Sequence, residues 1–264
     1  MTPVTGLYVP GDRPDRFDKA VATGADLVIL DLEDAVAPAG KAAARDAVVA
    51  WLSSARVDCV LQVRVNEGVA EDLAALRGLT GFEVRLPKVE SPAQVDRVVA
   101  ALPGVAVTAL VESASGVEHA AAIAAHPAVT MVGLGESDLA SELGTRDDAV
   151  LDHARIRLLY AAKAAGLPAP MLSAYPAIRD LTGLRADTKR GKALGWFGRV
   201  AIHPAQLPVI AEVFQPSAAD REWAAQVLAA TRDGGVTTLA NGEMVDPAMV
   251  GRAETILSRS RLPE

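Results

Sequence analysis

The sequence predicts an α/β fold, a (β/α)8 barrel carrying a C-terminal helical and lid extension. Three observations predict it. Eight short apolar runs, rich in β-branched residues and too short for helices, recur along the chain. Helix-like segments alternate with them, and no composition break or low-complexity linker divides the series. An open doubly wound sheet is the alternative, but no GxGxxG follows the first run and eight units fit closure better.

The first strand is expected at Leu7–Pro10, ending in Pro-Gly, with a helix from Arg13 to Thr23 after it. Asp26–Leu32 (DLVILDL) reads as a fully buried second strand, and Lys41–Leu52 as an amphipathic helix. Cys59–Val65 and Phe82–Leu86 are the third and fourth strands, with a helix around Ala70–Arg77 between them. Ser91-Pro92 opens the next helix with a capping residue and a proline in the first turn. Val105–Val111 and Val129–Leu134 are the fifth and sixth strands, each followed by small residues, an acid and a helix-like segment. A long helix from Asp148 to Ala165 ends at Gly166-Leu-Pro. Met171–Ala174, short and flanked by prolines, is the seventh strand, and Val200–Ile202 the eighth. The barrel is expected over residues 1–216. Residues 217–264 hold a helix near Ala218–Thr231, a Gly-Gly turn and TTLANGEMVDPAMVGRAETIL, more than the last helix a barrel needs.

Half of the 264 residues are hydrophobic and only 4% aromatic, so the core is built from Ala, Val, Leu and Ile. A net charge of −7 without a Lys/Arg block argues against a nucleic-acid or anionic-membrane surface. Cys59 stands alone in an apolar run, which leaves no disulfide framework and no Cys-based metal site. No apolar stretch approaches a membrane span and Met1–Val9 lacks a signal-peptide pattern, so a cytoplasmic protein is expected.

In a barrel the loops after the strands share one face. There the sequence gathers Asp31, Glu33, Asp34, Arg64, Asn66, Lys88, Glu112, Glu136, Asp138 and His203, with Pro10-Gly11-Asp12. Glu112 ends one strand and Asp138 lies just past the next; two carboxylates converging at a rim suit a hard divalent cation, Mg²⁺ above all. The plainer alternative is that each complements a helix N-terminus. Asp31 and Asp34 favour a structural network with Lys41 or Arg45, and Arg64 is either the counter-charge of those acids or a ligand-binding group. Lys88 is expected as the counter-ion of Glu112 in preference to a Schiff-base nucleophile, and His203 as a packed, hydrogen-bonded residue. No GxSxG elbow is present, which argues against a Ser–His–Asp relay.

The segments VPGDRPDRFDKA, DLVILDLEDAVAP, VRVN, LPKVES, LVESASG, GESDL, RVAIHPAQL and GEMVD occur in this order. The series resembles the citrate lyase β-subunit-like (CitE-like) family, which is similar to malyl-CoA lyases within the HpcH/HpaI aldolase group. The resemblance runs from about Leu7 to Glu254. It implies a TIM barrel that uses Mg²⁺ to make or break a carbon–carbon bond between an acyl thioester and a 2-oxo acid. Malyl-CoA or citramalyl-CoA is the implied substrate. The resemblance makes Glu112 and Asp138 the Mg²⁺ ligands, Arg64 the group holding the substrate oxygen, and Arg16 and Lys19 contacts of the CoA phosphates. Asp246 matches a lid carboxylate, an acid/base supplied by the adjacent subunit of a homotrimer. Ser137 stands where relatives often carry an acid, and the loop after VRVN is short; both bear on substrate choice. The alternatives are an aldolase for a free 4-hydroxy-2-oxo acid, with no need of Arg16 and Lys19, and a citrate-lyase-type β-subunit that needs acyl-carrier partner chains.

Overall fold

A computed structural model of the protein describes residues 2–66, 68, 70–232, 235–239 and 241–259. Its main sheet has seven strands: β1 (Thr5–Pro10), β2 (Leu27–Asp31), β3 (Val60–Arg64), β4 (Glu83–Leu86), β5 (Val107–Val111), β6 (Val129–Leu134) and β7 (Arg199–Ala201). Every neighbouring pair is parallel, in the order β6-β5-β4-β3-β2-β1-β7. Parallel neighbours need crossovers, and helices supply them. These are α1 (Phe17–Val21), α2 (Lys41–Leu52), α3 (Ala70–Leu76), α4 (Pro92–Ala101) and α5 (Ala114–Ala124), one after each of the first five strands. Three more, α6 (Glu136–Leu143), α7 (Asp148–Ala164) and α8 (Leu181–Ala193), lie between β6 and β7, and α9 (Leu207–Phe214) follows β7.

β2 is buried along its whole length, as its unbroken apolar run requires. Its residues Leu27 and Ile29 meet Met131 of β6, Met171 and Val200 of β7 in one core cluster. The sheet therefore curls until its two ends face a shared interior. On the outside, α5 buries Val117, Ala120, Ile123 and Ala124, small and branched residues that let a helix lie close to the strands.

Two expectations need correction. Met171–Ala174 forms no strand: Leu172 makes a single parallel bridge with Arg199, and Ser173 Oγ donates to the carbonyl of Leu134 at 2.5 Å. Pro168 and Pro170 have no N–H, so a ladder cannot extend through them. The described architecture is a curled seven-stranded parallel sheet, not a complete eight-stranded barrel. Second, the expected first helix divides into a 3₁₀ turn, Pro14–Arg16, and the short α1. The helix α8 was not among the expected elements; its buried positions are Leu184, Thr188 and Gly191 in a charged segment.

The chain divides into two compact units, Met1–Val213 and Phe214–Glu264. In the second, α10 (Ala218–Ala230) and α11 (Val250–Arg259) pack around Ala224, Val227, Leu239, Val245 and Ala253. A short antiparallel hairpin, β8 (Thr237–Thr238) and β9 (Met244–Val245), lies between them in sequence. Gly234 of the expected Gly-Gly turn, Ala240 of the tail, and Glu67 and Val69 in the loop after VRVN lie outside the described residues. No described helix is long and apolar enough to cross a membrane.

Candidate active site

Register places Pro10, Asp31, Arg64 and Arg85 on one row across β1 to β4. Registered residues of parallel strands face the same way, so this row turns an acid and two arginines inward. Arg64 grips Asp31 with two hydrogen bonds, Nε to Oδ1 at 2.8 Å and Nη2 to Oδ2 at 2.6 Å. Its Nη1 lies 2.9 Å from Glu33 and 3.1 Å from Asp34. Burial disfavours the guanidinium's charge, but Asp31 outweighs it and holds the Arg64 pKa above its ordinary value. Asp31 also accepts the backbone N–H groups of Glu33 and Ala35, which folds the DLED segment back over the strand end.

The acids of DLED thus pair with Arg64 and not with α2. Lys41 Nζ instead donates to the carbonyl oxygens of Leu32, at 2.7 Å, and of Glu33. Arg45 binds Asp72 and Glu71. Lys88 also departs from expectation. Its ammonium lies 3.6 Å from Glu33, whereas its backbone N–H donates to Glu112 at 3.1 Å. The φ of +51° at Lys88 is a left-handed conformation that few non-glycine residues adopt. It accompanies this aim of the N–H at a carboxylate.

Glu112 follows β5 and is buried; Asp138, in the first turn of α6, is exposed. Both line a cavity of about 380 Å³ with Tyr8, Asp31, Arg64 and Arg85. The backbone of Gly135, just before α6, makes room for the Glu112 carboxylate: a Cβ there would stand 2.4 Å from Oε1. Burial, then the charges of Glu33 and Asp138, push the Glu112 carboxyl up to about 7. Glu33 is also pushed up to about 7, first by burial, against the pull of Arg64. Both Glu33 carboxylate oxygens are buried without a hydrogen bond among the described residues, although cations flank them. An excess of carboxylate around one cavity is what a cation would relieve.

The remaining expected residues are placed as follows. Arg16 ends the 3₁₀ turn after β1 and Lys19 lies in α1; both are exposed, while buried Phe17 fixes the helix by packing edge-on against Trp51. His203 is exposed and its Nδ1 accepts the N–H of Ala205. Asn66 is tied to Asp72 through its backbone and side-chain N–H groups. Glu136 receives two hydrogen bonds from buried Arg155, at 2.9 and 2.6 Å. Asp246 sits in the second unit, at the N-cap of a 3₁₀ turn (Pro247–Met249), and accepts the N–H of Ala248 at 2.9 Å. Sequence reasoning missed three polar lining residues, Tyr8, Arg85 and Ser173. Arg85 had a signal, a charge set between Val84 and Leu86 in a buried strand.

Residues 4–204 match the HpcH/HpaI aldolase/citrate lyase family. A (3S)-malyl-CoA thioesterase of Cereibacter sphaeroides is 37% identical, over 96% of this chain and 93% of that protein. An L-malyl-CoA/beta-methylmalyl-CoA lyase of the same species is 31% identical, over 97% and 94% respectively. The crystal structure of CitE from Mycobacterium tuberculosis in complex with magnesium, acetoacetate and coenzyme A superposes with a TM-score of 0.84 at 38% identity. That alignment covers 98% of each chain. With the rim acids, the curled parallel sheet and a family match over most of its length, the chain belongs to the HpcH/HpaI aldolase/citrate lyase family and is an enzyme of the carbon–carbon lyase class.

Proposed function

We propose that this protein is a Mg²⁺-dependent lyase of a 3-hydroxyacyl-CoA thioester, of malyl-CoA or citramalyl-CoA type. It releases an acyl-CoA and a 2-oxo acid, or runs the reverse condensation. The observation that carries the reading is the meeting of Glu112 and Asp138 at one cavity beside Arg64. These residues fit a hard cation. The donors are all oxygen, Gly135 leaves the Glu112 carboxylate its space, and burial without a cation raises that carboxyl's pKa. Among the described residues no cluster of three or more His, Cys, Asp or Glu could hold a metal, so two protein carboxylates leave positions for water and substrate. When bound, Mg²⁺ supplies a Lewis acid for the keto oxygen of the 2-oxo acid.

The chain's own groups do the rest. Asp31, Glu33 and Asp34 fix Arg64, whose remaining N–H groups meet the oxygen on which negative charge develops. Arg16 and Lys19 take the CoA phosphates. Asp246, from the neighbouring copy in a trimer, exchanges the proton on the acyl α-carbon.

The thioesterase relative marks the competing reaction. Hydrolysis breaks the C–S bond and frees a thiol; a lyase breaks a C–C bond, frees a 2-oxo acid and leaves a thioester. Malyl-CoA and citramalyl-CoA should be incubated with the protein in Mg²⁺ and in chelator, with thiol and 2-oxo acid read separately. Magnesium-dependent 2-oxo acid without thiol is expected. Thiol without 2-oxo acid would replace the lyase reading with hydrolysis.

A further inference from the structure

Among the described residues Lys88 is the only non-glycine residue with a positive φ, and the hydrogen bonds around it show why. Between β4 and β5 the N–H of Val84 meets the carbonyl of Ala106, and Leu86 is registered with Ala109. Bonds of a parallel ladder are evenly spaced, so the N–H of Lys88 is due at the carbonyl of Leu110. Val89 takes that carbonyl instead, at 2.9 Å. Lys88 is therefore one residue too many for the ladder, and its N–H is released from it. The released group is the one that donates to Glu112 Oε2 at 3.1 Å.

A left-handed lysine costs free energy, and such a residue persists only where its surroundings impose it. Here they do. Gln94 Nε2 donates to the Lys88 carbonyl at 2.9 Å, while its Oε1 accepts the N–H groups of Glu90 and Ser91. On the far side Gly116 of α5 lies against the Val89 carbonyl, where a Cβ would come within 2.6 Å. The Lys88 side chain is not what this clamp aims at Glu112: its ammonium lies 3.6 Å from Glu33. With Oε2 of Glu112 on the Lys88 N–H, Oε1 lies on the side of Gly135, just before the helix that carries Asp138. We propose that Lys88 is a positioning residue that acts through its backbone N–H, holding one oxygen of Glu112 so that the other is presented to the cation. This step rests on the metal reading above.

Substitution separates the backbone's role from the ammonium's. Asn and Val both remove the charge, but Asn accepts a left-handed backbone and a β-branched residue does not. In calorimetric titration of folded, chelator-treated protein with Mg²⁺, Lys88→Asn and Lys88→Gly should bind within about two-fold of wild type, or tighter, because a nearby positive charge is gone. Lys88→Val should bind about 10-fold more weakly or worse, the usual loss when a metal ligand's orienting partner is displaced. Should Lys88→Val fail to fold, Gln94→Ala removes the clamp and leaves Lys88 in place. It should also weaken Mg²⁺ binding, and adding Lys88→Gly should restore it, since glycine adopts this φ unaided. Equal affinity in Lys88→Asn and Lys88→Val overturns the positioning role while the metal reading stands, whether both match wild type or both fall. So does Gln94→Ala with unchanged affinity, or with a loss that Lys88→Gly does not repair. Wild-type protein that binds no Mg²⁺ overturns the metal reading, and this inference with it.

Discussion

Glu33 and Glu112 hold protons to about 7 because burial disfavours their charge. Between the ordinary carboxyl value of 4.5 and that point, the unfolded chain has lost both protons and the folded one keeps them. The native state binds more protons in this window, so stability falls as pH rises through it. Metal-free protein should lose Tm from about pH 5 to about pH 7.5, and the Tm gain on adding Mg²⁺ should grow over the same range as proton competition fades. A Mg²⁺ effect independent of pH would contradict the placement of the ion at Glu112. Single residues were legible where chemistry interrupted a pattern: Asp31, Arg64 and Glu112 each end an apolar run. Their partners were less so. Lys41 and Arg45 are closer to Asp31 in sequence than Arg64 is, but strand register, not sequence distance, sets which cation arrives.

Asp138 is exposed, so its position is set by α6 and not by packing of its own side chain. The anchor of α6 is the Glu136–Arg155 pair, which Asp152 extends to Arg190. Burial opposes the charge of Arg155, but the bond to Glu136 keeps its pKa above the ordinary value. Arg155→Met leaves Glu136 without its partner and should cost roughly 3 kcal/mol in stability. It should also weaken Mg²⁺ binding about 10-fold or more without touching either ligand. The double variant Arg155→Met with Glu136→Gln should recover much of the stability, because no unpaired charge remains. A single variant with unchanged Mg²⁺ affinity would free α6 from this anchor. The same scale explains what could be read of the elements. Strands buried on both faces print as unbroken apolar runs, and seven of the eight expected segments have a counterpart among β1 to β7. An apolar run cannot reveal whether its backbone finds a ladder, which is why residues 171–174 were misread. The helix α8 went unread; of its buried positions Leu184, Thr188 and Gly191, only Leu184 is a large apolar side chain.

The fold class of the whole molecule followed from alternation alone, but closure depends on one proline-bound segment whose pairing no local pattern states. The tail poses the same problem between copies. Asp246 caps a turn within its own unit, and the proposal that it acts on an adjacent subunit's substrate needs a test that separates the roles. Asp246→Asn preserves an N-cap acceptor, so stability should change by no more than a few tenths of a kcal/mol while turnover falls by roughly 10²–10⁴-fold. Mixing exchanged Asp246→Asn and Glu112→Gln subunits should restore part of the activity through hybrid sites. Full turnover by Asp246→Asn alone would leave it a cap and nothing more. All of this chemistry hangs on a cation held between β5 and α6, and titration of the chelator-treated protein with Mg²⁺ tests that most directly. The wild-type protein should bind one ion per chain, and folded Glu112→Gln and Asp138→Asn should each bind it far more weakly, since each replaces an anionic oxygen with a neutral amide. Mg²⁺ affinity unchanged in both variants would contradict the account at its centre.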